Sequence, residues 1–156
     1  MSIPVDAIRV YGVPMSDVFP DAETAFGRRV RERLRDEQVI WLTTVGSSGT
    51  PRPNPVWFLW TGDAVVIYNY HSARRVPALR QHPPVSLHLN SDDSGGNVIV
   101  LTGRAEIDEQ TPSAHELPEY VAKYGDAMTH ISGSQEAFGR TYSVPLRVRI
   151  DRVRGF

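Results

Sequence analysis

The sequence predicts a mainly β fold with peripheral helices, in which six antiparallel strands close into a small barrel. Three observations predict it. Apolar runs recur between clusters of Gly, Pro, Asn and Ser at hairpin-length spacing, so sequential strands should pair with their neighbours. Only one helical segment interrupts the run of strands, between the third and the fourth. The chain has 156 residues and a hydrophobic share of 40%, the size of one domain, which buries ~68–70% of the surface its unfolded chain would expose.

Taken in order, residues 1–19 match no regular pattern and are expected to form an extended lead to a single domain over 20–156. Asp21 can cap a helix over 22–36, where Phe26, Val30 and Leu34 recur every four residues on one face. The charged residues on its other face, Arg28 to Asp36, read as solvated. "QVIWLTTVG" is a strand, "SSGT" a tight turn, "PRPNPVWFLW" the return strand and "GDAVVIYNY" the third. The segment around Arg74-Arg75 should be a short helix with Pro77 in its first turn and Leu79 as its inward anchor. "PVSLHLN" and "NVIVLTGRAEID" add two strands, 113–125 and 134–142 read as helices, and "VPLRVRIDRVR" alternates as the closing strand. "VWFLW" (56–60) and "VIVL" (98–101) are apolar on both faces, unlike a half-exposed antiparallel strand. Either the chain's own helices or a second copy must cover them, and a homodimer is the favoured reading.

The charge is unevenly placed. The whole chain carries a formal −1, yet between Gln38 and Ser91 four arginines (Arg52, Arg74, Arg75, Arg80) face one acid, Asp63, so that stretch is +3. Such a middle is suited to meet an anion. Ser72, Arg74 and Arg75 at a helix start offer a hydroxyl, backbone N–H groups and guanidiniums, which together suit a phosphate. The competing reading is a capped surface helix whose arginines pair with the acidic flanks. A nucleic-acid ligand fits poorly, because the chain is acidic overall and its aromatics lie in apolar strands rather than among the arginines.

Other chemistries lack their residues. There is no cysteine, hence no disulfide, thiol nucleophile or Cys-based metal centre. The five histidines form no helical i, i+4 pair, so no metal site is expected. Walker, Gly-x-Ser-x-Gly and His-Glu-x-x-His motifs are missing. The first residues lack the pattern of a secretory signal, and no apolar run approaches the ~20 residues of a membrane helix, so a cytoplasmic protein without membrane contact is expected. Any redox chemistry would come from a bound cofactor, and no catalytic side chain is assigned from the sequence.

"TTVGSSGTPRPNPVWFLW" and "SARRVPALRQHPPVSLHL", with "EYVAKYGDA" and "EAFGRTYSVPLRVRIDRVRGF", resemble the pyridoxamine 5'-phosphate oxidase-like split-barrel superfamily over residues 20–156. More narrowly they look like its actinobacterial branch that uses the deazaflavin coenzyme F420. The resemblance implies a six-stranded antiparallel split β-barrel of the flavin-reductase/FMN-binding type, a homodimer with a cofactor groove at the subunit interface, and a small-molecule substrate. It places Arg75 where the family usually has a phosphate-binding lysine, with Ser72 and Arg74 beside it. Val56 and Trp57 fall on the strand that edges the cofactor ring, and Tyr70 at the end of the neighbouring strand. Ala78 stands in place of a usual Asn, and Pro77 where a basic residue is common. The implied function is hydride transfer from reduced F420 to a small unsaturated or quinone-like acceptor. The alternatives are an FMN-dependent oxidoreductase of the same fold, and a non-enzymatic carrier of a flavin, deazaflavin or haem-like ligand.

Overall fold

The computed structural model describes residues 18–156 and, before them, the backbone of two short paired strands, β1 (Arg9–Val10) and β2 (Val13–Pro14). Of the expected extended lead over 1–19, Val18 and Phe19 are buried in the first core, and the rest apart from β1 and β2 lies outside the described residues. The chain then forms α1 (Ala25–Asp36), β3 (Ile40–Val45), β4 (Pro51–Val56), β5 (Leu59–Trp60) and β6 (Ala64–Asn69). It continues through α2 (Arg75–Gln81), β7 (Pro84–His88), β8 (Ile99–Ile107), α3 (Pro118–Ser132), α4 (Gln135–Thr141) and β9 (Val144–Gly155).

Strands β3 to β9 form one sheet in the order β4-β3-β7-β8-β9-β6-β5, every neighbouring pair antiparallel. Where the sequence predicts six strands there are seven, because "PRPNPVWFLW" splits. Its first half pairs with β3 (Trp41↔Pro55, Thr43↔Pro53) and its second with β6 (Leu59↔Val66, Trp60↔Val65). The two edge strands are thus consecutive in the chain, separated only by Trp57 and Phe58. A sheet whose first and last strands are two residues apart must curl until its edges nearly meet, which is the split barrel.

The prolines of β4 finish that edge. Pro51, Pro53 and Pro55 alternate, so the N–H that each lacks belongs to the side away from β3, and no further strand can dock there. Opposite the split, β8 and β9 shift register between Thr102 and Gly103, the Thr102 hydroxyl donating to Asp151 Oδ1 at 2.9 Å. Gly103 is needed at this bulge, since a Cβ would lie 2.2 Å from the Arg149 carbonyl oxygen.

Two cores lie on opposite faces of the sheet. One packs Val30 and Leu34 of α1 and Leu79 of α2 against Ile40, Leu42, Phe58, Leu101 and Val148. The other packs Tyr120, Tyr124 and Met128 of α3 and Phe138 of α4 against Val66 and Tyr68. Strand β6 is buried along its whole length because its residues alternate between them: Val65 and Ile67 go to the first core, Val66 and Tyr68 to the second. The covering of "VWFLW" is therefore internal. Trp57 and Leu59 pack into the α3–α4 core, while Phe58 and Trp60 pack into the α1 core, with Trp60 5.8 Å from Phe19.

The helices differ from expectation in detail. Helix α1 starts at Ala25 rather than 22, because the Thr24 hydroxyl accepts the Gly27 N–H at 3.0 Å while Asp21 caps only the turn before it, accepting from Glu23 N. Its Arg33 is not solvated. The guanidinium donates to the carbonyls of Asn90 and Asn97, both at 2.6 Å, and fastens the 91–97 loop to the helix. Helix α3 begins at Pro118, well placed at a first helical position, and runs to Ser132, seven residues past the expected end.

At the Trp57–Phe58 break the backbone leaves both partner strands, and α3 supplies what the sheet cannot. The Tyr124 hydroxyl accepts the Phe58 N–H at 2.9 Å and lies 2.7 Å from the Gln38 carbonyl, to which it can donate its single proton. Lys123 Nζ donates to the Phe58 carbonyl at 3.0 Å and sits 3.8 Å from the centre of the Phe58 ring. Replacing Tyr124 by Phe should cost about 1–3 kcal/mol in urea unfolding, since it orphans a buried N–H; no loss would show that the break needs no anchor.

Burial lowers the Lys123 ammonium to about 8, against the opposing pull of Asp36 and Glu37, from the ordinary lysine value of 10.5. The unfolded chain holds this proton more tightly, so the group opposes folding below about pH 8, and the penalty fades as pH rises toward 10.5. Between about pH 7.5 and 10, wild type should therefore gain urea stability relative to Lys123→Met. Parallel profiles for the two proteins would contradict this.

Candidate functional site

Two concavities meet at Arg75. The first has a volume of about 370 Å³ and is lined by Val39, Pro55, Val56, Trp57, Tyr68, Arg75, Tyr120, Ile131, Phe138 and Tyr142. Apart from the arginine it is a box of aromatic and aliphatic surface. The second, of about 260 Å³, is lined by Thr44, Gly46, Arg52, Asn54, Ala73, Arg74, Arg75 and Ala78. Three arginines line it, and no acid does among the described residues.

The sequence places these groups by simple geometry. Arg52, Asn54 and Val56 alternate along β4 and share one face, so the strand carries the arginine crevice at its hairpin end and the aromatic cavity at its other end. Thr44 sits opposite Arg52 in the β3–β4 ladder. The hairpin closes through a Gly49 N–H bond to the Gly46 carbonyl at 3.0 Å, and Gly49 takes φ 77°, which a side chain would resist. Helix α2 brings Arg74 and Arg75 to its first turn. Pro77 is its third residue and Leu79 is 2% exposed in the first core, as the pattern predicts.

Arg75 is held in place by a fully buried asparagine. Its Nε donates to Asn69 Oδ1 at 2.6 Å, and Asn69 Nδ2 donates to the Val144 carbonyl at 3.1 Å. Asn69 is 0% exposed. Burial pulls the Arg75 guanidinium below the ordinary arginine range, and no carboxylate among the described residues pairs with it. Among the described residues, Arg75 is thus a partly buried cation whose side-chain partner is a neutral amide.

Trp57 stacks between Tyr124 (4.7 Å, 2°) and Phe138 (5.5 Å, 15°) and presents the remainder of its surface to the cavity. Trp60, three residues on, faces the other core, as an odd separation along an extended segment requires.

Of the six residues singled out in the sequence, the structure brings four together: Val56 and Trp57 at the cavity, Arg74 at the crevice, and Arg75 at both. Tyr70 and Ser72 are not among the lining residues of either. Tyr70 is 44% exposed and lies against His71 and, edge-on at 6.2 Å, Tyr142. Ser72 is exposed and does not cap α2, whose cap position is Arg74 without a side-chain bond. Arg52 joins the crevice, whereas Arg80 does not line it. Tyr68, Tyr120, Phe138 and Tyr142, the walls of the cavity, carry no local sign in the sequence: nothing marks an inward strand or helix aromatic as pocket rather than core.

A curled antiparallel sheet of seven strands, open where β4 and β5 fail to pair, is a split barrel. The chain belongs to the pyridoxamine 5'-phosphate oxidase family, whose model matches residues 26–155. Several solved structures share the fold at low identity. The haem storage protein HutZ from Vibrio cholerae aligns with a TM-score of 0.63 and 16% identity over 85% of this chain and 95% of its own. A protein related to general stress protein 26 from Clostridium acetobutylicum gives 0.62 and 16% over 81% and 84%. A protein described as an F420 reductase gives 0.54 and 16% over 80% and 94%. No curated protein matches the chain.

Proposed function

We propose that this chain is an oxidoreductase that binds coenzyme F420 and serves hydride transfer to a small unsaturated or quinone-like acceptor. The observation that carries the reading is Arg75, a cation with no carboxylate partner among the described residues, shared by a ring-sized aromatic cavity and an arginine crevice. A ligand that fits both has a planar apolar body and an anionic tail. When bound, the reduced deazaflavin ring supplies the hydride.

In this reading Val56, Trp57 and the cavity aromatics bound the ring and exclude water, while Arg74 and Arg75 hold the tail phosphate and Arg52 extends the basic surface. Tyr70 and Ser72, proposed from the resemblance, have no part in it in a single protomer. Three guanidiniums exceed what one terminal phosphate needs, which favours the longer anionic tail of F420 over FMN. The carrier alternative finds a counterpart in HutZ, described as a haem storage protein. Against it, none of the five histidines lines the cavity, so a protomer offers no imidazole to a haem iron there. A cytoplasmic setting belongs to the same reading.

Titration of the purified protein with F420 and with FMN, followed by fluorescence, tests the proposal. F420 should bind in the low-micromolar range and FMN more weakly; binding of neither overturns it. Arg75→Ala should weaken F420 binding by about 1.5–3 kcal/mol, the scale of a lost charge-assisted bond. Turnover of an acceptor by reduced F420 separates an enzyme from a carrier.

The proposal includes a homodimer. With "VWFLW" covered by the chain's own helices, support comes instead from β4, whose first five residues are exposed although the strand carries Arg52 and Asn54 of the crevice. A second copy covering this strand would close the crevice. Sedimentation should give a dimer at micromolar concentration, and a monomer would remove the partner from the site.

A further inference from the structure

Tyr68, Tyr120 and Tyr142 line the aromatic cavity and Tyr124 stacks on its Trp57, and the hydroxyls of the three fully or nearly buried ones, Tyr68, Tyr120 and Tyr124, are treated differently. Tyr68 donates to the Pro112 carbonyl at 2.5 Å, and Tyr124 is taken up by Gln38 and Phe58. Tyr120, between them, is 1% exposed and lines the cavity, yet its hydroxyl has no hydrogen-bond partner among the described residues. Its ring cannot swing away. Tyr68 packs edge-on at 4.9 Å and 82°, and Tyr124 lies at 4.8 Å.

The unpartnered side-chain atoms sealed from solvent among the described residues are Arg29 Nε, Trp60 Nε1, Asn97 Oδ1 and His115 Nδ1. The Tyr120 oxygen is not one of them, so it opens into the cavity that the residue lines. A ligand that expels water from the cavity must match this hydroxyl, since leaving it unpaired there would cost free energy. Burial, with the neighbouring tyrosines, also raises the affinity of this phenol for its proton, so it stays a neutral donor at any physiological pH.

We propose that Tyr120 is a specificity-determining residue of the cavity: its hydroxyl donates to a carbonyl-type acceptor on the ring that binds there. This rests on the ring-binding reading above and deepens it. Arg75 at the cavity mouth reads the anionic tail and Tyr120 reads the ring, so each of the two features is selected by its own group. A planar ring without an acceptor at that position would leave the hydroxyl dry and unpaired, and the site would reject it for that reason.

Lumiflavin, which has the carbonyl-bearing ring and no phosphate, separates the two groups. Wild type should bind both lumiflavin and FMN. Tyr120→Phe should weaken both by about tenfold, whereas Arg75→Ala should weaken FMN alone. Because the hydroxyl is unpaired before ligand binds, Tyr120→Phe should melt at the same temperature as wild type or above it without ligand, and lose part of the ligand-induced rise. A purely structural tyrosine would do the reverse. Infrared difference spectra of lumiflavin on wild type should show a carbonyl band shifted to lower frequency, a measurement that does not depend on the variant's folding. Equal affinity in Tyr120→Phe, or an unshifted carbonyl band, overturns the role of Tyr120 while ring binding stands. If wild type binds neither lumiflavin, FMN nor F420, the ring-binding reading falls and takes Tyr120 with it.

Discussion

The fold depends on how the chain survives the break at Trp57–Phe58. One segment serves as both edges of the sheet, so its backbone must leave one partner strand and join another within two residues. A buried N–H or C=O stranded there would cost as much as a lost core contact. The Tyr124 hydroxyl takes the Phe58 N–H and Lys123 covers the Phe58 carbonyl, which leaves the Tyr124 proton for Gln38 at the entrance to β3. One turn of α3 thereby ties together three places on the barrel rim. The same turn fixes the cavity, because Tyr124 stacks on Trp57 and Tyr120 projects from the preceding turn.

Much of this barrel is legible in the sequence because antiparallel sheets with one apolar face impose a period of two, and the turns between them need Gly, Pro or Asn. All six strand segments of the main sheet are visible there, with β4 and β5 as one, and the positions of Pro77 and Leu79 in α2 follow from proline's missing N–H and from spacing. The split of "PRPNPVWFLW" was not readable. An unbroken apolar run gives no sign that its hydrogen-bonding partner changes midway, since that depends on the curl of the whole sheet. Helix α1 shows a smaller failure of the same kind: Asp21 and Thr24 are both good caps, and only the geometry of the preceding turn decides between them.

The site was half legible for a related reason. Arg74, Arg75, Val56 and Trp57 sit in segments whose local chemistry is distinctive. The walls contributed by α3 and α4 come from residues 50 or more positions away from Trp57, and Tyr120 and Phe138 look in sequence like any inward helix residue. Tyr70 and Ser72 fail in the other direction. They adjoin the arginines in the chain, but a turn with the Ala73 N–H bonded to the Tyr70 carbonyl carries both to the surface.

Asn69 holds Arg75 without neutralising it. A carboxylate in its place would hold Arg75 equally firmly and would neutralise it, leaving nothing for a ligand to gain. An amide fixes the guanidinium through one short bond, is itself fixed by the Val144 carbonyl, and leaves the charge unspent. The Tyr120 hydroxyl follows the same logic in neutral form. The Tyr68 and Tyr124 hydroxyls are bonded to backbone, so the chain has ways to satisfy such groups, whereas Tyr120 has no such bond among the described residues. A fold tolerates local conflict of this kind where a ligand resolves it, and in the proposed reading the cation would meet an anionic tail and the neutral donor a carbonyl-bearing ring.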